Sequence, residues 1–281
     1  MNIFVCIKQV PDTETKIELK SDNTYIETKD IKWIMNPYDE FALEQALLIK
    51  DHYKTGINVI AVRVGATNPS TEVLRTALAM GADEAILVDA KENLPPYPTA
   101  LALKRAIDKS QKPVDLILAG KQSIDYDNFQ VPQMLAQMFE FPSISQIVSF
   151  NLTKESAGSK ALSDGSFFKV ELKREIEGGT IEIYNLELPV CCSCNKGLNV
   201  PRYPSLPGIM KAKKKNLITY SLQDLDINDN DKRIEYRNFY HPPEKAPGKK
   251  YTYPEGDANK GRVLVEEVFN LLKNEAKVIG K

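Results

Sequence analysis

The chain carries only two histidines, His52 and His241, too few and too far apart for a histidine-rich metal site or an obvious catalytic pair. It has four cysteines, and three of them crowd into the run CCSC at 191–194, which is no spaced disulfide framework. A reducing interior is the simpler expectation. Charge of one sign is also lacking. The net charge is −1, so nothing global points to nucleic acid or to an anionic membrane. No apolar run approaches the roughly 18 residues that a spanning helix needs, so no direct membrane insertion is expected. The first residues enter a strand-like run without a charged leader or apolar core segment, so no secretory signal is expected either. Two phosphate-binding signatures are missing. No GxGxxG follows the first strand, and no GxxxxGK[ST] occurs, which removes the standard dinucleotide turn and the P-loop.

What remains is an ordinary globular composition, 42% hydrophobic and 27% charged over 281 residues. The run IFVCI at 3–7 suits a strand buried on both faces of a parallel sheet. Alternation at 16–19, a turn at 21–23 and Tyr25-Ile26 suggest an edge hairpin. Asn36-Pro37-Tyr38-Asp39 is a helix start: Asn36 can cap, Pro37 presets φ, and Asp39 suits the positive end of the dipole. Ala42, Ala46, Ile49 and Tyr53 then line one face. A strand at 58–64 follows, and Asn68-Pro69 opens a helix that Gly81 can terminate. Further strands are expected at 85–88 and 114–119, with a helix opening at Pro98 between them. Strands alternating with helices of this length imply βαβ units and a parallel sheet. Past Pro142 the pattern changes to strands at 144–152, 167–174 and 180–188, the last two joined at Gly178-Gly179. This reads as an antiparallel extension.

From Pro189 the periodicity is lost. Prolines recur at 201, 204 and 207, and a basic run occupies 211–215. The segment 236–254 is rich in proline and aromatics and has neither period. So long an irregular stretch is unusual inside a compact domain and reads as an arm lying on a partner. A final amphipathic helix is expected over 263–272, with Val263, Val268 and Leu271/Leu272 on its apolar side.

Three features carry chemistry. The C-x-x-C of Cys191 and Cys194 permits a metal or redox reading, but the only other cysteine is Cys6, so packed or loop cysteines are favoured. Leu206, Ile209 and Met210 precede Lys211 to Lys215. This is either a solvated charge run or a docking loop, with an apolar anchor and steering charges. The segment 115–133 reads strand, polar loop, helix start. Its loop carries Asp125, Asp127, Asn128 and Gln130. It is either a hydrophilic connection or a nucleotide loop at the strand C-termini, where the ends at Cys6 and Val64 would converge with it.

The chain resembles one family closely, the β subunit of electron transfer flavoprotein. The likeness rests on VCIKQVPD at 5–12, MNPYDEFALEQA at 35–46, RTALAMGAD at 75–83 and GKQSIDYDNFQV at 120–131. It continues in REIEGG at 174–179 and LNVPRYPSLPGIMKAKKK at 198–215. The resemblance implies an α/β fold with a mostly parallel sheet of the adenine-nucleotide α-hydrolase-like type, an antiparallel extension and an extended C-terminal arm. The expected divisions are a nucleotide-binding domain over 1–190, a partner-recognition loop over 191–215, and an arm and helix over 216–281 packing on an α subunit.

The resemblance also implies a heterodimer with the α subunit, which holds most of an FAD. Electrons would pass from flavin dehydrogenases, such as acyl-CoA dehydrogenases, through that FAD to a membrane quinone oxidoreductase, with no bond-making chemistry in this chain. AMP would be bound structurally by Cys6, Asn36, Pro37, Tyr38, Asp39, Val64, Gly120, Lys121, Gln122, Ser123, Ile124, Asp125, Tyr126, Asp127, Asn128, Phe129, Gln130 and Val131. Docking would use Leu206, Pro207, Ile209, Met210, Lys211, Lys213 and Lys214. The implied compartment is the cytoplasm of a prokaryote or the mitochondrial matrix. Two positions depart from AMP-binding members, which commonly have a hydroxyl residue at 131 and asparagine at 129. Backbone N–H groups and Asn128 would then have to compensate. Val131 resembles bifurcating members, which carry a second FAD in place of AMP. The fold alone would also allow a free-standing adenine-nucleotide enzyme or sensor.

Overall fold

The computed structural model describes residues 1–90, 94–158, 161–162, 164–244, 247–248, 250 and 258–279. The apolar run after Met1 forms β1 (Asn2–Cys6). Its alternate residues serve two cores: Ile3 and Val5 on one face, Phe4 and Cys6 on the other. This two-sided burial is why the run has no polar alternation.

The βαβ units follow in order. Helix α1 (Pro37–Tyr53) leads to β4 (Asn58–Gly65), α2 (Thr67–Met80) to β5 (Glu84–Asp89), and α3 (Pro96–Lys109) to β6 (Leu116–Gly120). Helix α4 (Val131–Phe139) leads into β7 (Ser143–Glu155), β8 (Phe167–Glu175) and β9 (Ile181–Glu187). Strands β10 (Val190–Cys194) and β11 (Leu217–Ser221) complete a nine-stranded sheet among the described residues, in the order β11-β5-β4-β1-β6-β10-β7-β8-β9. Pairing is parallel from β11 to β7 and antiparallel across β7, β8 and β9. The glycine turn between β8 and β9 has Gly178 and Gly179 at φ +73° and +76°, the left-handed region glycine occupies without a Cβ penalty. Helices α1 and α2 supply Leu43, Leu47, Leu74 and Leu78 to one core. Helices α3 and α4 supply Leu103, Ile107 and Leu135 to the other.

Four sequence expectations are corrected. The expected hairpin at 16–26 reduces to a single bridge, Leu19 to Ile26. The ladder there is formed instead by β2 (Gln9–Pro11) with β3 (Trp33–Met35). The Asn36 side chain makes no cap bond, and α2 starts at Thr67 after Ala66, not at Asn68-Pro69, whose side chains lie outside the described residues. The segment after Pro189 is not irregular at once. Cys191, Cys192 and Cys194 are fully buried in β10, between β6 and β7, so the cysteine run is a core strand. A five-residue strand buried on both faces shows no alternation, and its small sulfur-bearing residues disguise it. The first compact unit runs over 1–239, and β11 extends the sheet at its far edge.

The second unit, 240–281, contains α6 (Ala258–Asn270) and a π turn (Leu271–Glu275). Val263, Val265 and Phe269 of α6 are exposed. Most of the irregular stretch expected over 236–254 lies in this unit, and part of it falls outside the described residues.

Candidate functional site

The C-terminal ends of β1, β4 and β6 lie side by side, because Cys6 pairs with both Val62 and Ala119. A cavity of about 200 Å³ opens there. A single water needs only roughly 10–15 Å³ of such space, so the cavity is sized for a small organic ligand. Its walls include Cys6, Lys8, Gln9, Arg63, Val64, Gly65, Ala119 and Val131, with Tyr25, Trp33, Tyr126 and Tyr236 adding aromatic surface.

Asp39 holds the floor together. It is 5% exposed, and its Oδ2 accepts from the Lys8 N–H at 2.7 Å while Oδ1 accepts from the Gly120 N–H at 2.9 Å. One carboxyl from the first turn of α1 therefore ties the ends of β1 and β6. Burial pushes it up to about 7, against the pull of those two hydrogen bonds. Gly120 has to be glycine here: a Cβ would overlap Asp39 Oδ1 and the Tyr38 backbone. Asn36 does the same for the loop after β6. Its amide donates to the Gln122 carbonyl at 2.9 Å, and its Oδ1 accepts from the Ile124 N–H at 3.2 Å. The helix-start residues thus serve the neighbouring loop rather than their own helix.

Lys8 Nζ reaches Asp125 at 2.6 Å and Ser123 Oγ at 3.3 Å, and it lies 4.5 Å from the centre of the Tyr126 ring. Burial lowers the Lys8 ammonium, and Asp125 opposes that shift. Arg63 Nη1 donates to Gln9 Oε1, and burial brings its guanidinium down to about 9. Two buried polar atoms on this wall have no partner, Arg63 Nε and Gln130 Oε1. Both atoms are sealed from solvent, a desolvation cost of about 1–3 kcal/mol each, while the rest of the Arg63 and Gln130 side chains contributes polar surface to the cavity wall.

Of the residues singled out from the sequence, Cys6, Asn36, Asp39, Val64, Gly120, Gln122, Ser123, Asp125, Tyr126, Asn128, Gln130 and Val131 line the cavity. Pro37, Tyr38, Lys121, Ile124, Asp127 and Phe129 stand behind it in the same segments and are not among its walls. Sequence reasoning missed Lys8, Gln9, Arg63, Trp33 and Tyr236. Lys8 and Gln9 sit inside the motif at 5–12, and Arg63 is a lone charge in the apolar run of β4, which was the available signal.

The loop is tight. Asp127 and Phe129 have φ of +49° and +57°. That is costly for a bulky side chain and better tolerated by asparagine. Phe129→Asn is therefore expected to stabilise the protein by about 0.5–1 kcal/mol, read as a higher urea midpoint at unchanged slope. A lower midpoint would show that Phe129 packing outweighs the backbone strain.

A second surface lies away from the cavity. Helix α5 (Leu206–Ala212) starts at Ser205, whose Oγ accepts from the Gly208 N–H at 3.1 Å. A Cβ at Gly208 would overlap the Ala79 carbonyl, so α5 sits directly on α2. Arg75 donates to the Ala212 and Lys215 carbonyls at 2.7 and 2.9 Å. Lys215 returns the contact to the Leu78 and Ala82 carbonyls at 3.1 and 2.5 Å. Arg202 pairs in a two-pronged fashion with buried Glu44 and also reaches Asp51. Held this way, the segment leaves Tyr203, Leu206 and Met210 at 93%, 79% and 72% exposure beside exposed Lys211, Lys213 and Lys214. Pro207 and Ile209 are exposed on the same helix.

Comparison with known proteins decides the family. Residues 24–225 match the electron transfer flavoprotein domain. The chain belongs to the electron transfer flavoprotein β-subunit family. It is 36% identical to the electron transfer flavoprotein subunit β of Bacillus subtilis over 99% of this chain and 100% of that one. It is 37% identical to the Homo sapiens subunit β over 89% and 92% of the two chains. It is 36% identical to the mitochondrial subunit β of Arabidopsis thaliana over 99% and 100%. Among the described residues, no helix is long and apolar enough to cross a membrane.

Proposed function

We propose that the chain is the β partner of a heterodimer whose α subunit holds most of an FAD, and that it binds AMP structurally in the cavity at the ends of β1, β4 and β6. The complex accepts electrons from flavin dehydrogenases and passes them to a membrane quinone oxidoreductase. It works in the cytoplasm of a prokaryote or in the mitochondrial matrix. This chain carries no bond-making step: its residues position the flavin-bearing subunit and the electron donor.

The observation that supports the reading best is the cavity itself, built where a parallel sheet presents its strand ends and lined by aromatic side chains and by the cationic Lys8 and Arg63. AMP brings an aromatic base for Tyr126 and Tyr236, whose rings lie 5.4 Å apart, and an anionic group for the cationic wall. The exposed apolar side chains of α5 are the proposed dehydrogenase contact, and Lys211, Lys213 and Lys214 are the steering charges. The exposed Val263, Val265 and Phe269 of α6 suit burial against the α subunit.

The test is a count of the ligands released from the heterodimer, by absorbance and mass spectrometry. One FAD and one AMP are expected. Two FADs and no AMP would instead support a bifurcating subunit, the reading favoured by Val131, which offers a phosphate no hydroxyl. ATP hydrolysis without any flavin would support the free-standing nucleotide enzyme.

A further inference from the structure

Arg63 is an unusual residue to find inside β4, in a run otherwise apolar from Val59 to Val64. It is 7% exposed, and among the described residues it forms no ion pair and its Nε has no hydrogen-bond partner. Its one side-chain hydrogen bond among the described residues runs to a neutral group, Gln9 Oε1. A buried guanidinium is normally matched by a carboxylate, since burying a charge without one is costly. The carboxylates on the cavity wall are otherwise engaged: Asp125 holds Lys8, and Asp39 holds the Lys8 and Gly120 N–H groups. Lys8 adds to the imbalance, because the two cations disfavour each other.

The neighbouring backbone makes room for this arrangement. A Cβ at Gly65 would come within 2.6 Å of Arg63 Nη2, and Gly65 has φ +154°. Meanwhile the other source of anion binding at the cavity is weak. Helix α4 begins Val131-Pro132, so its first turn has no side-chain hydroxyl and one N–H fewer than usual. The Met134 N–H is already taken by the Gln130 carbonyl.

We propose that Arg63 is the specificity-determining residue of the cavity, supplying the positive charge that meets the anionic group of the ligand, a phosphate if the ligand is the nucleotide proposed above. The inference rests on that reading for the ligand's identity, but not for its charge. Arg63 then selects the nucleotide over the nucleoside. The missing counter-charge is the ligand's own, which explains why the protein leaves one wall of the site over-positive.

The experiment uses the full chain purified with its α subunit, dialysed free of small ligands, with AMP, adenosine and inorganic phosphate as probes. Wild type is expected to prefer AMP over adenosine by calorimetry. Arg63→Gln is expected to lose about 10- to 100-fold in AMP affinity while adenosine binding is unchanged, so the preference collapses. Arg63→Lys should recover part of it. Without ligand, Arg63→Gln should melt no lower than wild type, because an uncompensated charge has been removed. A variant that keeps the full AMP-to-adenosine preference, or that melts lower and keeps it, overturns the proposal. If AMP fails to bind wild type but inorganic phosphate raises its melting temperature through Arg63 and not in Arg63→Gln, the anion site stands and the nucleotide reading falls.

Discussion

Asp39→Ala is expected to destabilise the protein by about 2–6 kcal/mol at pH 4 to 5, and to strip the cavity of ligand. The magnitude follows from one buried donor and one part-buried donor, the Gly120 and Lys8 N–H groups, each left without an acceptor at about 1–3 kcal/mol. The pH dependence follows from the carboxyl itself. Its folded value, about 7, lies above the ordinary carboxylate value, so the folded protein holds a proton that the unfolded chain has already released. The stability this group contributes is therefore complete below about pH 4 and is lost as pH rises through 7. The alanine variant has no such group. The gap between wild type and variant should accordingly narrow by up to about 1.4 kcal/mol per pH unit between about 4 and 7. Urea titrations of both proteins at pH 4.5, 6 and 7.5 check this. A gap that widens with pH would mean that the two N–H groups hold Asp39 ionised and outweigh its burial.

The same residue shows what was legible in the sequence. Pro37 and Asp39 announced a helix start, and α1 begins at Pro37. The run 3–7 announced a doubly buried strand, and β1 is one. These features are local: capping geometry and periodicity belong to a few consecutive residues. The role of Asp39 is not local. It depends on β1 and β6 standing on either side of α1, a relation between residues 8, 39 and 120 that no window of sequence contains. Asn36 failed as an expected cap for the same reason, because the Gln122 carbonyl and the Ile124 N–H offered its amide better partners. Strand β10 was missed because CCSC has neither alternation nor β-branched bulk, and only its neighbours β6 and β7 make it a strand. Arg63, a single charge in an otherwise apolar run, was passed over in the sequence. Its burial appears only once Gln9 of β2 lies against it.

Leu206→Ala is expected to leave folding and flavin content unchanged and to weaken the dehydrogenase encounter about 30-fold or more. The first half follows from the side chain's 79% exposure: it supports nothing in its own chain, so its removal costs the fold little. The second half follows from how α5 is held. Arg75 and Lys215 staple the end of α5 to α2, Gly208 lets it sit against the Ala79 carbonyl, and Arg202 anchors the approach on Glu44. An apolar side chain on so rigid a mount is already in place before the partner arrives, so little conformational freedom remains to be lost on docking. Such anchors carry about 2 kcal/mol or more of an interface, which is the factor stated. The lysines should behave differently. Lys211→Ala or Lys214→Ala should slow the association rate and flatten its salt dependence while changing dissociation little, because rim charges act at a distance and are screened. Stopped-flow reduction of the heterodimer by its dehydrogenase, at low protein concentration and two ionic strengths, separates the two effects. Unchanged kinetics in Leu206→Ala would remove α5 from the docking surface. A loss of flavin in the same variant would place Leu206 against the α subunit instead.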